Sequence, residues 1–414
     1  MNEEHLRRAE GKIRPAEGKI RPAEGKIRPA WAEVDLDALA HNVRLLCNHV
    51  APAQVCAVVK ADAYGHGSVP VAEAALRAGA TWLAVALPSE GIELRLEGIE
   101  APILVLAEPP LAEITDVLAS GLTPTLYTAD GVEAAVGAAQ ALGLWEVSVQ
   151  LKVDTGMHRV GARPGEAARL ARAISSSGRL RLQGFWTHLA VADEPADPFT
   201  GQQLECFDAL SAELSAAGIP LQVRHAANSA GAIWHPRSRY DLVRVGLAMY
   251  GYEPRPEPGW AGLPVQDPQA PGSSLELRPV LSLCSRVALV RQLGAGERVS
   301  YGRGRALPER SWVATVPIGY ADGVPRRLFD VGMDVLVGGQ RRPLAGTVTM
   351  DQVMVDCGPD PGVAVGDEVV FIGSQGGECI TADDWASALG TISYEVLCGI
   401  GPRVPRVVRS GSAR

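Results

Sequence analysis

The sequence predicts an α/β protein in which an N-terminal (β/α)8, TIM-like barrel is followed by a mainly antiparallel β domain. Three observations predict it. Eight short apolar runs alternate with Ala- and Leu-rich segments of helical spacing up to about residue 250, and eight strands alternating with helices are what a closed β/α barrel requires. Residues 253–279 then turn rich in Pro and Gly. Beyond them come β-branched runs with no long helix between. With 414 residues there is ample length for two cores. The expected plan is a repeat tail at 1–29, the barrel at 30–252, a linker at 253–279 and the β domain at 280–414.

Taken in order, residues 9–29 are three copies of Ala-Glu-Gly-Lys-Ile-Arg-Pro. A seven-residue period invites a coiled-coil reading. One Ile per copy gives no seam, however, and Gly and Pro in every copy break a helix, so a disordered tail is expected. The strand-like runs are 55–59, 82–87, 103–106, 122–127, 147–153, 182–187, 221–225 and 242–245. Helical spacing marks 69–78, 90–96, 111–119, 129–142, 165–176 and 202–217. The pattern alone also admits an open doubly wound sheet, but no Gly-x-Gly-x-x-Gly follows the first run, which counts against a dinucleotide fold. In the second domain the strand-like runs are 280–290, 312–318, 334–337, 346–356 and 368–372.

Polar clusters fall just beyond the barrel runs, where barrel active sites are built. Lys60 follows the first, and Lys152 through Arg159 the fifth. Thr187-His188 ends the sixth, His225-Ala226-Ala227-Asn228-Ser229 the seventh and Arg244-Val245-Gly246-Leu247 the eighth. Any of these residues alone reads as ordinary loop or core polarity. Five clusters at the same end of successive strands point to one shared pocket. Lys60 leads them: a lysine directly after a buried strand, with Tyr64 and a Gly-His-Gly turn close behind, suits chemistry that needs an amine of lowered pKa.

The bulk properties narrow the class. A net charge of −8 with scattered Lys and Arg argues against a nucleic-acid partner. No stretch of about 18 apolar residues predicts a membrane helix, and no apolar secretion core precedes the repeats, so a cytoplasmic protein is expected. Seven widely spaced cysteines without Cys-x-x-Cys read as reduced, mostly packing thiols, with no metal site.

The stretch Ala57-Val58-Val59-Lys60-Ala61-Asp62-Ala63-Tyr64-Gly65-His66-Gly67 resembles the cofactor-lysine signature of the alanine racemase family. Further motifs match that family in order from Trp31 to about Val404, among them Lys152 to Arg159, Ser300-Tyr301-Gly302, Gly319-Tyr320-Ala321-Asp322-Gly323, Thr349-Met350-Asp351 and Ser393-Tyr394. The resemblance implies an isomerase that interconverts L- and D-alanine, uses pyridoxal 5′-phosphate, supplies D-alanine for peptidoglycan and works as a homodimer with shared active sites. By the same resemblance Lys60 carries the cofactor as an imine. Tyr64, Asn228, Ser229, Gly246, Leu247 and Tyr394 hold its phosphate end, His188 lies near the ring, and Arg244, supported by His225, faces the pyridine nitrogen.

Racemisation needs a base on each face of a planar carbanion, and the resemblance assigns these to Lys60 and Tyr301, the latter from the partner subunit. Free tyrosine ionises near pH ~10, so such a base needs help from nearby charge or hydrogen bonds. Arg159 is implied to bind the substrate carboxylate, a carbamylated Lys152 to hold Arg159, and Met350, Asp351 and Tyr320 to line the substrate entrance. The tandem repeat and His158 depart from the family pattern. The rival readings are a racemase of broader choice such as serine, a decarboxylase of the same two-domain plan, and a single-barrel cofactor carrier. A carrier would lack both the β domain and the tyrosine.

Overall fold

The computed structural model describes residues 29–254, 275–360 and 362–410. The N-terminal repeats and most of the expected linker lie outside the described residues.

The first strand, β1 (Ala30–Asp35), does not join the barrel expected to start there. Its buried Ala30, Ala32 and Val34 alternate with partly exposed neighbours, the pattern of a strand with one wet face. It pairs with strands of the second domain instead. Asp35 then ends the strand and caps the helix Leu36–Val50, accepting from the amides of Asp37 and Ala38 at 2.9 Å. Leu39, Val43, Leu46 and Val50 recur at helical spacing and are buried against the barrel. Truncating one of them, as in Leu39→Ala, costs about 2–5 kcal/mol.

The barrel strands are β2 (Gln54–Val58), β3 (Trp82–Val85), β4 (Ile103–Val105), β5 (Thr123–Leu126), β6 (Val147–Lys152), β7 (Leu180–Trp186), β8 (Val223–His225) and β9 (Leu242–Val245). They run parallel in the order β8-β7-β6-β5-β4-β3-β2-β9. Helices cover the outside and side chains fill the inside, so strands such as β3 are buried on both faces, which is why they read as unbroken apolar runs. The ring closes between β8 and β9, where Asp241 N–H donates to Arg224 O and Arg244 N–H to Ala227 O, each at 3.0 Å. The six predicted helices are present with ends shifted by a few residues, and 111–119 begins as a 3-10 turn.

The chain after β2 does something no strand or ordinary helix does. Ala61, Asp62, Ala63 and Tyr64 have φ of 53, 51, 54 and 55°, a left-handed turn built without glycine. Each such residue costs roughly 1–2 kcal/mol, so the turn persists only because its surroundings hold it. His66 Nδ1 donates to Ala63 O at 2.9 Å and Tyr64 O at 3.0 Å, and Asp62 Oδ1 accepts from Ser68 N–H at 2.7 Å. Gly65, at φ 80°, packs its backbone against the second domain, and a Cβ there would lie 2.8 Å from Leu397 O.

The second domain contributes β10 (Leu281–Arg286), β11 (Leu289–Leu293), β12 (Ser311–Val316), β13 (Asp334–Val337), β14 (Gln340–Pro343), β15 (Val353–Asp356), β16 (Glu368–Gln375), β17 (Glu378–Ile380) and β18 (Arg406–Arg409). One sheet runs β14-β13-β16-β10-β1-β18 with β17 on β16, antiparallel except for β1 with β18. A second sheet is β11-β12-β15. The run read as one strand at 280–290 is two strands in different sheets, and 346–356 is a strand only from Val353. Arg406 ties the domains together. Its Nε donates to Gly65 O, and its Nη atoms to the carbonyls of Gly401, Val404 and Ile400, all at 2.6–2.7 Å.

Candidate active site

Lys60 stands where β2 gives way to the left-handed turn, at the mouth formed by the strand C-termini. Burial, then the Arg159 guanidinium, pulls its amine below the usual lysine range, while Glu90 and Cys398 oppose the shift. Lys152, the last residue of β6, lies deeper. Burial, the charges of Arg244 and Arg159, and to a lesser extent Lys60 bring it down to about 7 against the pull of Asp154. Its ammonium sits 4.6 Å from the centre of the Trp186 ring, and the Arg244 guanidinium 4.5 Å from the same ring. The mouth is thus a crowd of basic groups: Lys60, Lys152, Arg159 and Arg244. Such a crowd favours an anionic guest.

Arg244 is fixed from three sides. Its Nη1 donates to His225 Nδ1 at 2.6 Å, and its Nη2 faces Thr187 O at 2.9 Å, Ala226 O at 3.0 Å and His188 Nδ1 at 3.2 Å. His225 Nε2 donates in turn to Gln150 Oε1 at 2.7 Å, and its ring stacks on Trp186 with centroids 5.3 Å apart. A Cβ on Gly184 would lie 2.7 Å from the Gln150 amide carbon, so that glycine makes the room. Burial and the Arg244 charge hold both His225 and His188 well below the usual histidine range, and both rings are neutral at neutral pH. Arg244 itself, lowered to about 10 by burial, stays charged there. The chain of donors therefore runs one way: charged arginine, neutral histidine, amide oxygen.

Beyond Arg244, at the end of β9, lies a cradle of small donors. Ser229 Oγ accepts from Gly246 N–H at 2.9 Å and lies 3.4 Å from Ala248 N. Asn228 caps the short helix Ser229–Trp234, its Oδ1 accepting from Gly231 N–H at 2.9 Å. Leu247 opens the turn Leu247–Tyr250 behind Gly246. A Cβ on Gly246 would collide with the Tyr64 hydroxyl, so the glycine lets a phenol meet backbone. Tyr64 and Tyr394 lie 5.9 Å apart, ring centre to ring centre. Burial raises both phenols, Tyr394 to about 12, so both remain hydroxyl donors. Two phenolic hydroxyls, a serine hydroxyl and backbone amides brought together at Gly246 fit a phosphate-bearing group.

The other expected site residues do not gather here. Tyr301, Tyr320 and Met350 are 68, 42 and 52% exposed on the second domain. Their loops are stitched to one another. Ser300 Oγ donates to Thr347 O at 2.6 Å, Thr347 Oγ1 to Tyr301 O at 3.1 Å, and the amides of Tyr320 and Ala321 to Thr349 O at 3.0 Å and Met350 O at 3.1 Å. Arg403 pairs with Asp351 at 2.6 Å and Asp322 at 3.3 Å. These loops form a platform on the second domain, with three large side chains turned to solvent. Arg159 is also exposed, at the mouth, and His158 beside it turns to Asp154 at 3.2 Å, away from the cations.

Sequence reading missed Glu90, Gln150, Trp186, Cys398 and Arg406. Gln150 had a readable signal, since it lies two residues before Lys152 on one strand and so shares its face. Among the described residues there is no cluster of groups that could hold a metal ion, and no helix is long and apolar enough to cross a membrane.

Comparison with known proteins matches residues 34–254 to the model of the alanine racemase N-terminal domain and residues 280–408 to that of the C-terminal domain. The chain is 48% identical to an alanine racemase of Symbiobacterium thermophilum over 91% of its own length and 96% of the relative's. A crystal structure of alanine racemase from Streptomyces lavendulae superposes with a TM-score of 0.83 at 39% identity, covering 94% of this chain and 98% of that one. A histidine racemase from Leuconostoc mesenteroides superposes with the same score at 30% identity, covering 92% and 98%.

Proposed function

The chain belongs to the alanine racemase family, and from that premise we propose that it interconverts L-alanine and D-alanine by proton exchange at Cα, supplying D-alanine for peptidoglycan. The observation that carries this reading is Lys60, an amine of lowered pKa set beside a cradle of phosphate donors at the barrel mouth.

The cofactor this implies is pyridoxal 5′-phosphate, which when bound supplies an electron-withdrawing ring that stabilises negative charge at the substrate Cα. Ser229, Tyr64, Tyr394 and the backbone at Gly246 and Leu247 would hold its phosphate, with Asn228 fixing the helix that presents Ser229. Lys60 would hold its aldehyde end, His188 would bind beside the ring, and Arg244 would donate to the ring nitrogen. A charged arginine there would leave that nitrogen without a proton of its own, weakening the electron sink and favouring simple proton return.

Lys60 moves the proton on one face of Cα and Tyr301 on the other. Because Tyr301, Tyr320, Met350 and Asp351 stand on a platform away from Lys60, this reading has a second copy of the chain present them to the barrel mouth. Tyr320 and Met350 then narrow the entrance to an alanine-sized side chain. Arg159 binds the substrate carboxylate. Lys152, down at about 7, presents the neutral amine that adds CO2, and the carbamate would anchor Arg159. Aqueous, cytoplasmic D-alanine supply suits a chain with these properties.

The test is an absorbance spectrum of the purified protein, followed by L-alanine in heavy water with proton NMR at the α position. A visible-edge cofactor band with α-deuterium appearing in both enantiomers is expected. Cofactor absorbance without α-exchange would return the carrier reading to the front, and CO2 release from diamino acids would favour the decarboxylase.

A further inference from the structure

Glu90 sits where amides from two different loops converge on one carboxylate. Its Oε2 accepts from Ala86 N–H at 2.8 Å and Leu87 N–H at 3.0 Å, the ordinary work of an acid in the first turn of the helix Pro88–Leu96. That work occupies one oxygen. Oε1 reaches 29 residues back along the chain and accepts from Ala61 N–H at 2.6 Å. Ala61 opens the left-handed turn, and its amide is the peptide that carries Lys60.

We propose that Glu90 is a positioning residue for Lys60: by holding the Lys60–Ala61 peptide against the exit of β3, it fixes the direction in which the lysine side chain leaves the turn. His66, Asp62 and Arg406 hold the later part of the turn, at Ala63, Tyr64, Ser68 and Gly65. Glu90 alone among these holds its first residue. Without that acceptor, the strained turn is free to relax at the end where the lysine stands. The electrostatics agree in sign. Lys60 faces the cations Arg159 and Lys152 and the groups Glu90 and Cys398, and the Glu90 carboxylate is the foremost of those that favour the ammonium.

This inference rests on reading Lys60 as the reactive amine and deepens it. The test uses the full chain, whose lysines number five, Lys12, Lys19, Lys26, Lys60 and Lys152, with 15N-labelled lysine. Two quantities are read: the NMR titration of Lys60 before cofactor is added, and the rate at which Lys60 captures added pyridoxal 5′-phosphate, followed by absorbance. Glu90→Leu, which removes both the charge and the acceptor, is expected to move the titration to lower pH and to slow capture about 10- to 100-fold, the scale of a side chain displaced by about 1 Å. Glu90→Asp, which keeps the charge but is too short to hold Ala61, should slow capture with a smaller change in titration. A folded variant of either kind that captures cofactor at the wild-type rate overturns the proposal, even if its melting temperature falls. Wild-type protein that captures cofactor but does not exchange alanine would sink the racemase reading and leave the Glu90 result standing.

Discussion

Lys152 is 3% exposed and shares its surroundings with the guanidinium groups of Arg244 and Arg159. Its folded value of about 7 lies below the ~10.4 of an unfolded lysine. Between those values the unfolded chain binds a proton that the folded chain does not, so this residue makes stability rise with pH across the window. Below about 7 its cost is fully present. Lys152→Met should therefore raise the melting temperature of the cofactor-free protein most at pH 6, with the gain shrinking toward pH 10; a gain independent of pH would contradict the burial argument. At this scale the sequence was legible where a polar residue directly follows an apolar run, as with Lys60 and His188. It was silent where a side chain serves the backbone of a distant loop, as Glu90 serves Ala61 and Arg406 serves Gly65. Nothing in local pattern records a partner 29 or 341 residues away.

The left-handed turn is the element on which the barrel mouth depends. Its four residues are Ala61, Asp62, Ala63 and Tyr64, and no propensity rule predicts such a run without glycine. Ala61 is exposed, so a change there loses no packing. Ala61→Gly should stabilise the protein by about 0.5–1 kcal/mol, the relief of a left-handed alanine less the added freedom of glycine in the unfolded chain, measured by denaturant unfolding. A loss of stability would mean the turn is not strained at its first residue. Element boundaries elsewhere were legible to the extent that burial follows chemistry. Barrel strands such as β3 and β4 are buried on both faces and read as solid runs. The stretch 280–290 deceived because Val287, Ala288, Leu289 and Val290 resume the apolar character straight after Arg286, with no Gly or Pro to mark where the chain leaves β10 for the other sheet. β1 deceived in the other direction, its alternation short enough to pass for a leader into the barrel.

At the scale of the whole molecule, the expected site residues fall in two groups. One lines the mouth of the barrel, where Lys60, Lys152, Arg159 and Arg244 act on one another's charge. The other is the platform of Tyr301, Tyr320 and Met350, exposed on the second domain; large apolar side chains gathered at one surface mark a place that something covers. The resemblance of separate motifs named both groups from sequence. The exposure of the second group on its own domain is what the structure adds, and under the proposed function a second copy of the chain would bring the two groups together. The most direct measurement is alanine racemisation, followed by optical rotation, in a mixture of Lys60→Ala and Tyr301→Phe chains that are unfolded and refolded together. Each variant alone should be inactive. If each site takes its lysine from one chain and its tyrosine from the other, half of the randomly paired dimers regain one intact site of two, and the mixture recovers about a quarter of wild-type activity. Recovery of none, with both variants folded and dimeric, would contradict the shared site.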